Sequence, residues 1–126
     1  AMNLEIMRPK NRILICLEQS TVEWTNTVSR PIVQQVDPDF KRTVLVNTKF
    51  DNRVKELRDS ESTDKYLVGE GLKGKEIFFV SMPVQRNLQP RHFKEEMLRC
   101  YIEDYRQLLT AQFNEQKFFG VCWHVP

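Results

Sequence analysis

The chain has 126 residues, a length that fits one compact domain or a piece of a larger one. Nineteen basic residues against 17 acidic ones leave a net charge of +2, scattered rather than massed, which argues against a dedicated nucleic-acid binder. The three cysteines (Cys16, Cys100 and Cys122) are widely spaced with no C-x-x-C, and no apolar run reaches the roughly 18 residues of a membrane span, so a disulfide framework, a zinc site and a transmembrane segment are all unsupported, and a reducing compartment is expected.

In chain order, Ala1-Met2 reads as a cloning remnant, and the basic residues Arg8 and Lys10 precede too short an apolar run for a signal peptide. The first strand is expected near 12–18, on the run Ile13-Leu14-Ile15-Cys16-Leu17. A helix is expected near 21–35. Ser20 would cap it, with Glu23 completing a capping box, and Trp24, Val28 and Ile32 would recur along one side until Pro31 kinks or ends it. Asp37-Pro38-Asp39 is turn chemistry. The second strand is expected near 43–47, on Thr43-Val44-Leu45-Val46, and the third near 76–81, on Ile77-Phe78-Phe79-Val80. All three runs are continuous rather than alternating, the pattern of parallel strands buried on both faces.

Between the second and third strands the chain turns polar. A short helix is expected at 64–68, followed by a glycine loop through Gly69, Gly71 and Gly74. Pro83 and Pro90 bracket a further loop, and a long helix is expected over 91–118, with Phe93, Met97, Tyr101, Tyr105, Leu108 and Gln112 as its stripe, widened by Leu109 and Phe113. The fold class is α/β: an open parallel sheet with flanking helices and a long C-terminal helix.

The most informative motif is Thr48-Lys49-Phe50-Asp51, at the carboxyl end of the second strand, where open α/β sheets bind ligands. A carboxylate there can accept two hydrogen bonds from the N1 and exocyclic N2 donors of guanine, a pair that adenine does not offer, and its charge strengthens both. The Lys49 stem can lie along the base, and Thr48 can tie the loop to a neighbour.

From Val36 to Asp51 the sequence Val-Asp-Pro-Asp-Phe-Lys-Arg-Thr-Val-Leu-Val-Asn-Thr-Lys-Phe-Asp resembles the dynamin superfamily, which carries D-P-x-x-x-R-T running into a strand and then T-K-x-D. Residues 13–18 resemble the strand after the family's D-x-x-G switch, and Lys117-Phe118-Phe119 resembles a K-F-F found after its GTPase-domain helices. The run from Phe78 to Pro83 leans toward the plastid-division branch. The resemblance implies a segment of a P-loop GTPase-like domain, its C-terminal part, spanning 1–126. It assigns guanine binding to Thr48, Lys49 and Asp51, and gives Gln85 and Arg86 as the nearest match to the Asn-Arg pair of the family's last nucleotide loop. Val54 stands where many members have a second Asp. It further implies GTP or GDP with magnesium in a parent mechanoenzyme that remodels membranes. That parent would be cytoplasmic and peripheral to an organelle membrane. Its partners would be the remainder of the GTPase domain and further copies of itself, with membrane contact through other regions and no nucleic acid.

The sequence contains no G-x-x-x-x-G-K-[ST] and no D-x-x-G, so no catalytic or metal residue is assigned. The chain alone is expected to hydrolyse no GTP and to hold no nucleotide firmly. An open strand edge and bare apolar faces would favour self-association. The alternative is a stand-alone, non-catalytic interaction module with a degenerate nucleotide fold. The match of Gly69 to Gly74 with G-x-G-x-x-G precedes a strand instead of following one, so it reads as a loop. Trp24, Tyr101 and Tyr105 read as packing residues and Cys16 as inert. His92, Glu95-Glu96 and Glu103-Asp104 read as solvated, and His124 falls in a tail expected to be disordered.

Overall fold

A computed structural model describes residues 4–72 and 74–114. After a short helix α1 (Leu4–Met7), the order is β1 (Leu14–Gln19), α2 (Ser29–Gln34), β2 (Thr43–Thr48), α3 (Phe50–Val54), α4 (Ser60–Val68), β3 (Ile77–Phe79) and α5 (Phe93–Thr110). The three strands form a parallel sheet in the order β1-β2-β3, with Cys16 opposite Leu45 and Leu45 opposite Ile77. Beyond Phe79 the alignment continues: Val80 N–H donates to Asn47 O at 2.8 Å and Phe50 N–H to Val80 O at 3.2 Å. None of the helices described is long and apolar enough to cross a membrane.

One face of the sheet carries the core. Cys16, Leu45, Ile77 and Phe79 are buried there with Trp24, Val33, Phe50, Val54, Tyr66 and Leu67. Phe50 and Tyr66 flank Phe79 at ring distances of 4.8 and 5.7 Å. Trp24 is a packing residue: its ring lies 5.4 Å from that of Tyr66, and its indole N–H donates to Tyr66 O at 3.1 Å. The other face differs from the expectation of two-sided burial. Ile13, Ile15 and Leu17 are 75%, 67% and 56% exposed, while Leu14 and Cys16 between them are buried. A continuous apolar run is thus covered on one side only among the described residues.

The helix expected over 21–35 is broken. Residues Trp24–Asn26 form one 3₁₀ turn, and regular helix begins only at Ser29. Pro31 lies in the first turn of α2, where its missing N–H has no helical partner to lose, so it helps begin the helix instead of ending it. The capping box does not form. Ser20 is fully buried at the exit of β1, with its N–H donating to Thr48 O, and Glu23 pairs with Arg53 at 3.0 Å. The N–H of Arg30 in the first turn of α2 is satisfied from the sheet, by Glu18 Oε1 at 2.9 Å. Val28, expected on the buried side, is 71% exposed.

The short helix expected at 64–68 begins earlier, at Ser60, because Asp59 caps it by accepting Ser62 N–H at 2.8 Å. Gly69 ends it at φ 77°, and a Cβ at this position would meet Ile77 Cδ1 at 2.7 Å. Helix α3 was not expected at all.

The long helix is shorter than 91–118. A 3₁₀ turn precedes it, and it stops at Thr110. Gln112 takes φ 58°, its N–H donates to Leu109 O, and Phe113 N–H donates to Leu108 O, closing a Schellman motif over the buried pair Leu108 and Phe113. Lys117-Phe118-Phe119, Cys122 and His124 lie outside the described residues.

Candidate functional site

The entry to β2 is a carboxylate clasp. Asp37 Oδ1 accepts Lys41 N–H at 3.0 Å, and Oδ2 accepts Arg42 N–H at 3.0 Å and the Thr43 hydroxyl at 2.6 Å. Burial works against the Asp37 charge, but these bonds and the Arg42 guanidinium outweigh it and hold the carboxyl below its ordinary value. Arg42 in turn donates to the carbonyls of Arg12 and Met7 at 2.8 and 2.7 Å, tying the segment before β1 to β2. The D-P-x-x-x-R-T residues are therefore occupied with one another and with backbone.

The exit from β2 is arranged differently. Thr48 Oγ1 donates to Glu18 O at 3.2 Å, joining the ends of β1 and β2. Lys49 adopts a left-handed conformation, φ 55° and ψ 36°, and swings the chain sharply into α3. Phe50 is fully buried against Phe79, and its N–H bonds Val80 O. The variable residue of T-K-x-D is here the anchor of the loop. Lys49 and Asp51 flank that anchor and diverge: the Lys49 ammonium lies 3.3 Å from Gln19 Oε1, on the β1 side, whereas Asp51 is half-buried and lines a cavity on the α5 side.

That cavity has a volume of about 430 Å³. Asp51 contributes from α3, Ser81, Met82 and Val84 from the segment after β3, and Cys100 and Asp104 from α5. Gln85 and Arg86 are exposed and do not line it. Of the residues expected at the site, Thr48, Lys49 and Asp51 are thus brought to one strand end, and Gln85 and Arg86 are not joined to them.

Asp104 is a correction. Read as part of a wet face, it is 2% exposed, and its Oδ2 accepts the hydroxyl of Ser81, itself 1% exposed, at 2.5 Å. Burial is the main cause that pushes the Asp104 carboxyl up to about 6. The Ser81 bond opposes the rise, and the charges of Asp51 and Glu103 add to it. The signal was available in the sequence: Met97, Tyr101, Asp104 and Leu108 are spaced four, three and four, so Asp104 falls inside the apolar stripe. The two thiols described are not activated. Burial raises Cys16 to about 11, and Cys100 is raised by burial and by Asp104.

No protein-family model matches the chain, and no solved structure matches it significantly. Curated relatives do. It is 57% identical to Dynamin-like protein C of Dictyostelium discoideum over 117 residues, 92% of this chain and 13% of that protein. It is 35% identical to Dynamin-related protein 5A of Arabidopsis thaliana over 116 residues, 87% of this chain and 14% of that one. It is 35% identical to Dynamin-like protein ARC5 of Arabidopsis thaliana over 86 residues, 64% of this chain and 11% of that one. The chain spans less than a sixth of the length of these relatives.

Proposed function

The chain belongs to the dynamin superfamily, and from that premise we propose that it is the guanine-reading part of a dynamin-like GTPase domain, with Thr48, Lys49 and Asp51 as the reading residues. The observation that carries this reading is the seat of Asp51. A fully buried Phe50 and a left-handed Lys49 hold its carboxylate at the carboxyl end of a central parallel strand, facing a cavity with an open acceptor. A carboxylate in that seat fits the two adjacent donors of guanine. Thr48 fixes the loop against β1, and the Lys49 stem is free to cover a base. Gln85 and Arg86 belong to this reading only if the segment after β3 moves toward Asp51 when nucleotide binds.

GTP or GDP with magnesium would be held by the chain and by phosphate-binding residues elsewhere in a longer polypeptide. Among the described residues no group of three His, Cys, Asp or Glu side chains is placed to hold a metal ion. The complete protein would be a GTP-driven, self-associating, membrane-remodelling enzyme, cytoplasmic and peripheral to an organelle membrane. The exposed stripe Ile13, Ile15 and Leu17 would be covered by the remainder of the GTPase domain. The same stripe is what favours the alternative, a non-catalytic interaction module, and guanine binding separates the two.

The test is a base switch in the full-length protein. Guanine presents an amine at position 2, and xanthine presents a carbonyl there. In Asp51→Asn the amide can donate to that carbonyl, so GDP affinity should fall by roughly 100-fold while XDP affinity rises, taking about 3 kcal/mol for the charged pair. Loss of both affinities would indicate misfolding, and retained GDP preference would remove Asp51 from the site.

A further inference from the structure

The T-K-x-D motif leaves one feature of the cavity unaccounted for. A buried carboxylate on α5 is bonded to a buried hydroxyl at the exit of β3, and both face the cavity lined by Asp51. We propose that Ser81 and Asp104 are positioning residues for the guanine reader: they fix the wall opposite Asp51, and the Asp104 charge makes Asp51 a stronger acceptor toward the guanine edge. This inference rests on the guanine-reading assignment of Asp51 and goes beyond it by naming a regulator of that contact.

The geometry gives the reasons. Asp104 and Ser81 are 2% and 1% exposed, so neither serves as a surface solubiliser. Their hydrogen bond, 2.5 Å long, joins two elements 23 residues apart and holds the backbone after β3 against α5. That backbone is tied to the reading loop as well, through Val80 O and Phe50 N–H. A shift of α5 against β3 would therefore reach Phe50, and with it Asp51. Helix α3 also packs on α5, so the same helix meets the loop from both sides.

The second reason is charge. The groups that face Asp104 are Asp51 on α3, Lys55 at the end of α3, and Cys100 and Glu103 on α5, with Arg99 and Arg106 also at the cavity. Asp51 and Asp104 raise one another's negative potential. The guanine edge presents only donors toward Asp51, so a more negative site binds it better. An ionised Asp104 should strengthen the contact, and a protonated one should weaken it. Its carboxyl is pushed up to about 6, so the change falls within an accessible pH range.

The experiment reads the ratio of GDP to IDP affinity in the full-length protein between pH 5 and 7.5. Hypoxanthine lacks the exocyclic amine, so the ratio isolates the contact to Asp51, and the titration of the phosphates cancels. In the wild type the ratio should rise about 3- to 10-fold through pH 6, the size expected of one charge acting across a partly screened cavity. In Asp104→Asn it should be flat at the low value. In Ser81→Ala the midpoint should move to higher pH, because the bond that favours the ionised form is gone, and Ser81→Thr should restore it. A purely structural role would change affinity for both nucleotides equally and leave the ratio alone. A wild-type profile in Asp104→Asn and an unmoved midpoint in Ser81→Ala would overturn the inference, while a successful base switch in Asp51→Asn would leave the reading itself standing. If Asp104→Asn does not fold, the midpoint of Ser81→Ala decides alone.

Discussion

The two ends of β2 carry the two family-like motifs, and they are built on opposite plans. At the entry the Asp37 carboxylate, the Arg42 guanidinium and the Thr43 hydroxyl are engaged within the chain, and the carboxyl is held below its ordinary value. At the exit a non-glycine residue sits at positive φ, a buried carboxyl is raised to about 6, and Asp51 faces a cavity. Backbone strain alone does not separate the ends, since Phe40 before β2 (φ 52°) and Lys49 after it (φ 55°) are both left-handed. The difference is that Phe40 is buried in the core, whereas Lys49 is exposed at an end that also carries a raised carboxyl and a cavity, the combination expected of an end that meets a ligand. The comparison is sharp enough to break: substitutions at the entry should only destabilise, whereas some at the exit should stabilise and harm recognition.

The largest effect is expected at the entry. Asp37→Ala removes the acceptor of three hydrogen bonds and should cost about 3 kcal/mol in denaturant unfolding, with the GDP-to-XDP preference unchanged. The pH dependence has a definite sign. The native carboxyl lies below 3.8, so its contribution is present above that pH and is lost as the pH falls through the still lower native value. A neutral Asp37→Ala, or one that shifts base preference, would dissolve the contrast between the two ends.

The next effect has the opposite sign. The Asp104 carboxyl is raised from 3.8 to about 6, so the stability it contributes is full below pH 3.8 and disappears as the pH rises through about 6. Above pH 7 its ionised form is a burden. Asp104→Asn, which keeps an acceptor for Ser81, should then gain about 2 kcal/mol, less than the ~3 kcal/mol that two pKa units represent, because a buried amide is costly as well. Near pH 4 the gain should vanish. Unfolding curves for the pair at pH 4 and 7.5 check this, and equal differences at both values would contradict the burial argument.

The sheet was legible because its signal is local and continuous: three apolar runs became three parallel strands, and the motif at the second strand's end stayed at that end. What failed depended on partners distant in sequence. Glu23 looked like half of a capping box until Arg53, thirty residues on, took its carboxylate, and the first turn of α2 took its acceptor from Glu18 in the sheet. Pro31 is a breaker by residue type, but its effect depends on which turn of the helix it occupies, and here it is the first. The continuous apolar run of β1 implies burial on both faces, yet burial depends on what packs against the strand, and Ile15 and Leu17 are open among the described residues. At the site, Asp51 could be named from its motif. Asp104 is legible only from its register between Tyr101 and Leu108, a signal that its charge masks when the residue is weighed by type.

The smallest prediction tests the exit most directly. Lys49 holds φ 55° with a full side chain, a conformation that costs a non-glycine residue about 1 kcal/mol and that glycine adopts freely. Its visible contact, 3.3 Å from Nζ to Gln19 Oε1, is exposed and offsets little of that cost. Glycine also gains entropy in the unfolded chain, so Lys49→Gly should end near neutral or up to about 0.5 kcal/mol more stable. If the Lys49 stem covers the base as proposed, guanine-nucleotide affinity should meanwhile fall several-fold. Thermal unfolding and GDP titration on the same preparation separate the two terms. A marked loss of stability with affinity intact would mean that Lys49 is held in its strained turn for packing, and the exit of β2 would then be no different in kind from its entry.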